Sequence, residues 1–160
     1  MDLTDLLQLL HVISGFVLVA GIVGRNVLLS RARRSDDIST IQHLVDAAAP
    51  FERFMVIPGS FVVLLFGILT WWTQRLPVWQ SGSRWVTVSL IAFLTIIPLV
   101  PLVFAPRGRK FDAALAFAVR DGRVTPELSA ALRDPLVAGA RAYEVAIIFI
   151  VIVLMVTKPF

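Results

Sequence analysis

Residues 3–29 read LTDLLQLLHVISGFVLVAGIVGRNVLL, an apolar stretch with few polar interruptions. As an α-helix, at about 1.5 Å of rise per residue, it is long enough to cross a hydrocarbon core of ~30 Å with some tilt. The first ten residues contain Asp2 and Asp5 but no Lys or Arg, so the positively charged start of a signal peptide is missing. We interpret residues 3–29 as a retained membrane span.

The composition of the whole chain favours a lipid-solvated protein. Apolar residues make up 58% of the 160 residues and charged residues 16%, and mean hydropathy is +0.83. The charged residues cluster between apolar runs instead of alternating with them, as a soluble amphipathic fold would require. There is no cysteine, which excludes disulfides, thiolate metal sites and cysteine nucleophiles.

Three further spans are predicted, at about residues 54–74, 85–106 and 136–157. Pro98 and Pro101 should bend the second half of the third span. The last uninterrupted apolar run is too short to cross alone, so we start that helix at Pro135 with Asp134 as its N-cap. The prediction is an all-α, four-helix transmembrane bundle that forms one domain over residues 1–160.

The two longer loops contain helical patterns. Between spans one and two, apolar residues recur at helical spacing from Ile38 to Val45. Between spans three and four, a first amphipathic pattern ends at Gly122 and a second starts at Thr125. Both loops are therefore predicted to form short amphipathic helices on the membrane surface.

The cations predict the orientation of the bundle. Loops one and three, with their flanks, hold twelve of the fifteen Lys and Arg residues, and the opposite side holds Arg75, Arg84 and Lys158. The twelve are Arg25, Arg31, Arg33, Arg34, Arg53, Arg107, Arg109, Lys110, Arg120, Arg123, Arg133 and Arg141. The positive-inside rule places loops one and three in the cytoplasm of a bacterium, with both termini outside the inner membrane. The cations thus indicate orientation and lipid contact, and we expect no nucleic-acid binding.

The tryptophans predict the same orientation. Trp71, Trp72, Trp79 and Trp85 all gather at the opposite, outer interface, where amphipathic rings are favoured.

His11 is the foremost candidate for a functional group, because an ionisable residue inside a bilayer costs about 2.5–3.5 kcal/mol on insertion scales. One interpretation is a neutral histidine bonded to a hydroxyl at matching depth, with Thr70 and Ser89 as candidates. The functional interpretation is axial ligation of haem by His11, with Met155 as a possible second ligand.

Charged residues near the cytoplasmic ends of the spans predict a structural cluster. We expect Arg25 to pair with Glu144 or Glu52 and to hold the bundle together. The sequence has no phosphate-binding glycine loop, no serine-hydrolase or zinc-protease motif and no paired intramembrane carboxylates. We therefore assign no catalytic residue and no site for a free metal ion; the sequence favours a protein without enzymatic activity and leaves the question open.

Three segments together resemble a bacterial membrane family, domain of unknown function 2269. They are LLQLLHVISGF in span one, PGSFVVLLFGILTWW in span two and IIFIVIVLMVTKP at the end. The resemblance covers nearly the whole chain and implies a four-helix integral membrane protein without an assigned reaction.

A more distant resemblance is to the haem-binding bacterial protoporphyrinogen oxidase family. It is carried by Leu10-His11-Val12, Arg25, Phe51-Glu52-Arg53 and Phe66-Gly67-Ile68. That family has a lysine shortly after a tryptophan that opens span three, whereas here Trp85 is followed by Val, Thr, Val and Ser. The resemblance implies haem binding through His11 more than it implies oxidase activity.

Two functions from different classes follow. The first is a membrane assembly module that associates with itself or with another membrane protein through small-residue faces such as Ala20-x-x-x-Gly24. The alternative is a haem-binding redox protein that uses His11. A copper or small-solute transporter is less well supported, since four spans would have to oligomerise to enclose a path.

Overall fold

The computed structural model describes residues 2–77 and 82–159, and within them every regular element is helical. The α-helices are α1 (Leu3–Ala32), α2 (Ile38–Pro50), α3 (Ile57–Thr73), α4 (Arg84–Leu94), α5 (Ala105–Asp121), α6 (Pro126–Leu132) and α7 (Pro135–Thr157). Two π-helical segments, Phe51–Val56 and Val100–Phe104, lie directly before α3 and α5. Trp79, which was predicted at the outer interface, is outside the described residues.

Three of the described helices are long and apolar enough to cross a membrane. Judged by length and composition, they are Leu3–Ala32, Ile38–Thr73 and Pro126–Thr157. The second of these contains α2, the first π-helical segment and α3, and the third contains α6 and α7. Large apolar side chains on them remain exposed, among them Phe16, Phe61 and Phe149. Since water does not favour such a surface, these faces suit contact with lipid.

No helix boundary separates the predicted surface helix from span two. The sequence predicts that the span begins near residue 54, and there α2, the π-helical segment and α3 form one continuous helix. In the π-helical segment the N–H of Ile57 donates to the carbonyl oxygen of Glu52, five residues back. Pro58 follows at once and has no N–H to give the preceding turn, so a widened turn accommodates it.

The third predicted span, residues 85–106, is not one regular helix. α4 ends at Leu94, and tight i→i+3 turns follow, such as Ile97 N–H to the carbonyl oxygen of Leu94. The π-helical segment then leads into α5. Pro98 and Pro101, which were expected only to bend the helix, interrupt it because neither can donate a backbone hydrogen bond.

The loop helices pack against one another. Ile41 of α2, Ala118 of α5 and Leu128 of α6 are fully buried in a common apolar core that also contains Ala32 and Leu132. Amphipathic helices that face one another bury their apolar faces without lipid. We call α2, α5 and α6 the helical cap.

The starts of α6 and α7 follow the predicted signals. The Thr125 side chain accepts a hydrogen bond from Leu128 N–H, and the Asp134 side chain accepts from Leu136 N–H and Val137 N–H. Pro126 and Pro135 occupy the first turns, where a missing N–H costs nothing.

Two contacts show how the long segments are oriented against one another. Gln74, after α3, donates from Nε2 to Oε1 of Gln8 near the start of α1 at 3.4 Å. Lys158, after α7, lies 5.3 Å from the ring centre of Trp85 at the start of α4. α1 is therefore antiparallel to α3, and α4 is antiparallel to α7. Between these helices lies a second apolar core of Leu18, Ile22 and Val56.

Candidate functional site

Two cavities lie at opposite ends of the long helices. The first, which we call the histidine cavity, has a volume of about 440 Å³ and is bordered by His11, Thr70, Ser89 and Met155. The second, the arginine cavity, has a volume of about 550 Å³ and lies between the long helices and the helical cap. The predicted ligand residues border the first, and Arg25 and Glu52 border the second.

His11 is oriented by the backbone of α3. Its Nδ1 lies 2.9 Å from the carbonyl oxygen of Val63. A carbonyl oxygen only accepts, so Nδ1 carries the hydrogen and, in the neutral ring, Nε2 keeps its lone pair. The predicted hydroxyl partners, Thr70 and Ser89, do not bind His11, which corrects that interpretation.

Gly67 makes this position of the imidazole possible. A Cβ atom at Gly67 would lie 2.9 Å from Cε1 and 3.1 Å from Nδ1 of His11. Real Cβ contacts are essentially never that short, so any side chain at residue 67 would displace the ring. In the sequence, Gly67 is considered only as part of the resemblance to haem-binding oxidases. The sequence signal for its contact with His11 is that the two residues lie at a similar depth in their helices.

The walls of the histidine cavity are mostly apolar, and two polar side-chain atoms of residues that border it lack a hydrogen-bond partner in the part of the chain that the structure describes. The hydroxyl oxygens of Thr70 and Ser89 are buried and have no hydrogen-bond partner among the described residues. Ser89 is 1% exposed. Apolar walls with a small number of unpaired polar groups are typical of small-molecule and cofactor sites.

Arg25 joins three helical segments at the other end of the bundle. It is 4% exposed, and its Nη1 lies 2.5 Å from Glu52 in the π-helical segment. Its Nη2 pairs with Glu144 of α7, which is also 4% exposed. One guanidinium thus bonds both carboxylates that the sequence offered as alternatives. A buried charge is tolerated only when it is paired in this way.

Further charges border the arginine cavity. Arg107 of α5 pairs with Asp134, the N-cap of α7, an interaction that the sequence analysis missed. The sequence signal for this pair is that Arg107 directly follows predicted span three and Asp134 directly precedes predicted span four. Arg141 lies one turn before Glu144 on α7, and its Nε is buried without a hydrogen-bond partner among the described residues.

The small-residue face proposed for assembly is occupied within the chain. A Cβ atom at Gly24 would lie 2.4 Å from Cε1 of Phe51, and one at Gly21 would lie 2.7 Å from Cβ of Met55. These glycines let α1 approach the π-helical segment closely. Gly24 is therefore used in packing inside the monomer.

Long apolar helices, exposed apolar faces and buried charges at the helix ends together define an integral membrane protein. Comparison with family models supports this: the family described as predicted integral membrane protein, domain of unknown function 2269, matches residues 5–159. The chain belongs to that family. Neither the curated proteins nor the solved structures contain a match. The likeness to haem-binding oxidases thus rests only on the residues quoted above.

Proposed function

We propose that the chain crosses the membrane four times, with the interrupted third segment as one of the crossings. On α1, Gln8 borders the histidine cavity and Arg25 borders the arginine cavity. On the third segment, Trp85 borders the histidine cavity and Phe104 the arginine cavity. The third segment therefore spans the same depth of the bundle as α1 does.

The proposed membrane is the bacterial inner membrane, with the arginine cavity on the cytoplasmic side. All twelve cations of loops one and three fall at the arginine-cavity end or in the helical cap. Trp71 and Trp85 border the opposite, histidine cavity. Cations inside and tryptophans at the interface support both termini being outside.

We further propose that the protein binds a flat, largely apolar ligand in the histidine cavity, with haem as the candidate. The observation that carries this proposal is the hydrogen bond from His11 Nδ1 to the Val63 carbonyl. A metal-binding histidine usually donates its other ring N–H to a backbone carbonyl or a carboxylate, which fixes the ring and raises ligand basicity. Here that bond leaves Nε2 as the coordinating atom.

The other residues of the cavity fit such a ligand. Met155 borders the same cavity and offers a thioether, the second axial ligand in one class of haem proteins. Lys158 at the cavity edge can attract the acidic groups of a porphyrin. When bound, haem would supply an iron centre for one-electron chemistry. The chain itself would hold the ligand, orient His11 and exclude water.

The test is the visible absorption spectrum of the purified full chain, expressed with ample haem supply. We expect a Soret band in the wild type that is lost or strongly shifted in His11→Ala. His43→Ala is the matched control, because His43 lies on α2 and does not border the histidine cavity. A folded, haem-replete wild type without a Soret band overturns the haem proposal. An unchanged band in a folded His11→Ala variant rules out His11 as the ligand.

The assembly module is the weaker of the two functions. Its predicted contact, Ala20-x-x-x-Gly24, loses Gly24 to Phe51 of the same chain. Association with a second copy or with another membrane protein would need a different face of the bundle.

A further inference from the structure

The charges around the arginine cavity are unequally paired. Arg25 is paired with Glu52 and Glu144, and Arg107 with Asp134. A second set of charged side chains at the cavity has neither an ion pair nor a hydrogen bond with a described residue. This set consists of Arg33, Lys110, Arg141 and Glu127. Among these side chains without a described partner, three cations therefore stand against one carboxylate, while the whole lining holds five cations and three carboxylates.

Arg141 is the least solvated of these cations. Its Nε is inaccessible and has no hydrogen-bond partner in the described ranges, although the residue lies beside a cavity of about 550 Å³. A buried N–H of a guanidinium without a partner is unfavourable, and the planar donors of the group match the oxygens of a carboxylate or a phosphate. Glu52 and Glu144 attract Arg141 electrostatically, but both carboxylates already accept hydrogen bonds from Arg25.

The position of the cavity indicates the source of the anion. Its walls come from the ends of long apolar helices, at Leu29 and Val137, and from the helical cap, at Phe111. With the proposed crossing and orientation of the chain, on which this inference rests, the ends of these apolar helices would lie near the cytoplasmic headgroups. Basic pockets between membrane helices on the cytoplasmic side bind anionic headgroups.

We propose that the arginine cavity is a binding site for a phosphate group, held by Arg141 with Arg33 and Lys110. The phosphate comes from the headgroup of an anionic phospholipid. Arg141 is the anchor of the site, Arg33 closes it from the C-cap of α1, and Lys110 closes it from α5. The site is separate from the histidine cavity, so it does not depend on haem binding.

The experiment measures lipid binding to the purified full chain in a neutral detergent, by native mass spectrometry and by thermal shift. The probes are phosphatidylglycerol, phosphatidylcholine with the same acyl chains, and glycerol phosphate without acyl chains. We expect phosphatidylglycerol to bind and to raise the melting temperature. We expect about tenfold weaker binding in Arg141→Gln, since a charged hydrogen bond is lost.

Arg109→Gln is the matched control, because it removes the same charge from α5 at a residue outside the cavity. If both variants lose affinity equally, the attraction is diffuse and the site proposal fails. It also fails if phosphatidylcholine binds as well as phosphatidylglycerol. Binding of glycerol phosphate that depends on Arg141 supports the site and assigns it to a soluble phosphate. If Arg141→Gln does not fold, Lys110→Gln on the exposed edge decides by the same comparison.

Discussion

Gly67 of α3 lies against the imidazole of His11 so closely that a Cβ atom there would be 2.9 Å from Cε1. The histidine thus reaches the Val63 carbonyl only because residue 67 has no side chain. Position 67 acts on the candidate site through His11, and Gly67 itself also borders the histidine cavity.

Gly67→Ala should displace His11 and break its bond to Val63. Overpacking of this kind costs about 1–3 kcal/mol. We expect a lower melting temperature in detergent and, if haem is bound, a shifted Soret band. Gly15→Ala is the control, since a Cβ atom there would meet Val63 at an ordinary 3.9 Å. Equal behaviour of the two variants would contradict the close contact at Gly67.

Arg25→Ala should destabilise the bundle by about 3–5 kcal/mol, because it leaves Glu52 and Glu144 without their cation. The measurement is thermal or denaturant-induced unfolding of the detergent-solubilised protein. Arg31→Ala, an exposed cation in the last turn of α1, should change stability by about 0.5 kcal/mol or less. Partial recovery in Arg25→Ala/Glu144→Gln would show that the unpaired carboxylate is the cause. An Arg25→Ala protein as stable as wild type would refute the structural role of the cluster.

Gly24→Ala should lower the stability of the monomer, because the added methyl group meets the ring of Phe51. We expect a loss of about 1–3 kcal/mol, partly offset by the higher helix propensity of alanine. Gly139→Ala on α7 has open space and should be neutral or stabilising by up to about 1 kcal/mol. Unfolding and oligomeric state are measured together. A Gly24→Ala protein that keeps its stability but loses an oligomer would restore the assembly function.

Asp37 should make the start of α2 sensitive to strong acid. Hydrogen bonds from Ser39 and Thr40 lower the pKa of its carboxyl group to about 2. A carboxyl whose folded pKa lies below its unfolded value near 3.8 stabilises the fold above that value. This contribution falls away as the pH drops from about 4 through 2. Asp37→Ala should lower the melting temperature at pH 7 and flatten its dependence on pH between 4 and 2. If the two proteins keep parallel profiles over that interval, the cap does not titrate as described.

Sequence reasoning reached the features that depend on local chemistry. The caps at Thr125 and Asp134, the break at Gly122 and the helical pattern after Ile38 all follow from short-range backbone and side-chain preferences. The pairing of Arg25 with acidic partners could be predicted, because a charged side chain inside a membrane usually pairs with a group of opposite charge. The simultaneous engagement of both partners could not, since it depends on how three segments meet.

The features that sequence reasoning missed depend on contacts between distant segments. Apolar periodicity does not tell whether an amphipathic helix faces lipid or another helix, so the common core of Ile41 and Leu128 was read as two surface helices. Proline marks a disturbance without fixing its size, and Pro98 and Pro101 interrupt the third segment more than expected. The sequence predicts a hydroxyl group as the partner of His11. The partner in the structure is the Val63 carbonyl of α3, which the imidazole reaches because residue 67 is glycine.

The helical cap also constrains the order in which the parts of the chain fold during synthesis. Its core joins Ala32 at the end of α1 to Leu132 at the end of α6, a separation of most of the chain. During synthesis α2 emerges long before α5 and α6, so its apolar face waits without its final partners. Insertion of α1 and α3 into the membrane therefore precedes closure of the helical cap. Until α6 has been made, the nascent protein exposes an apolar surface that lipid or a chaperone has to shield.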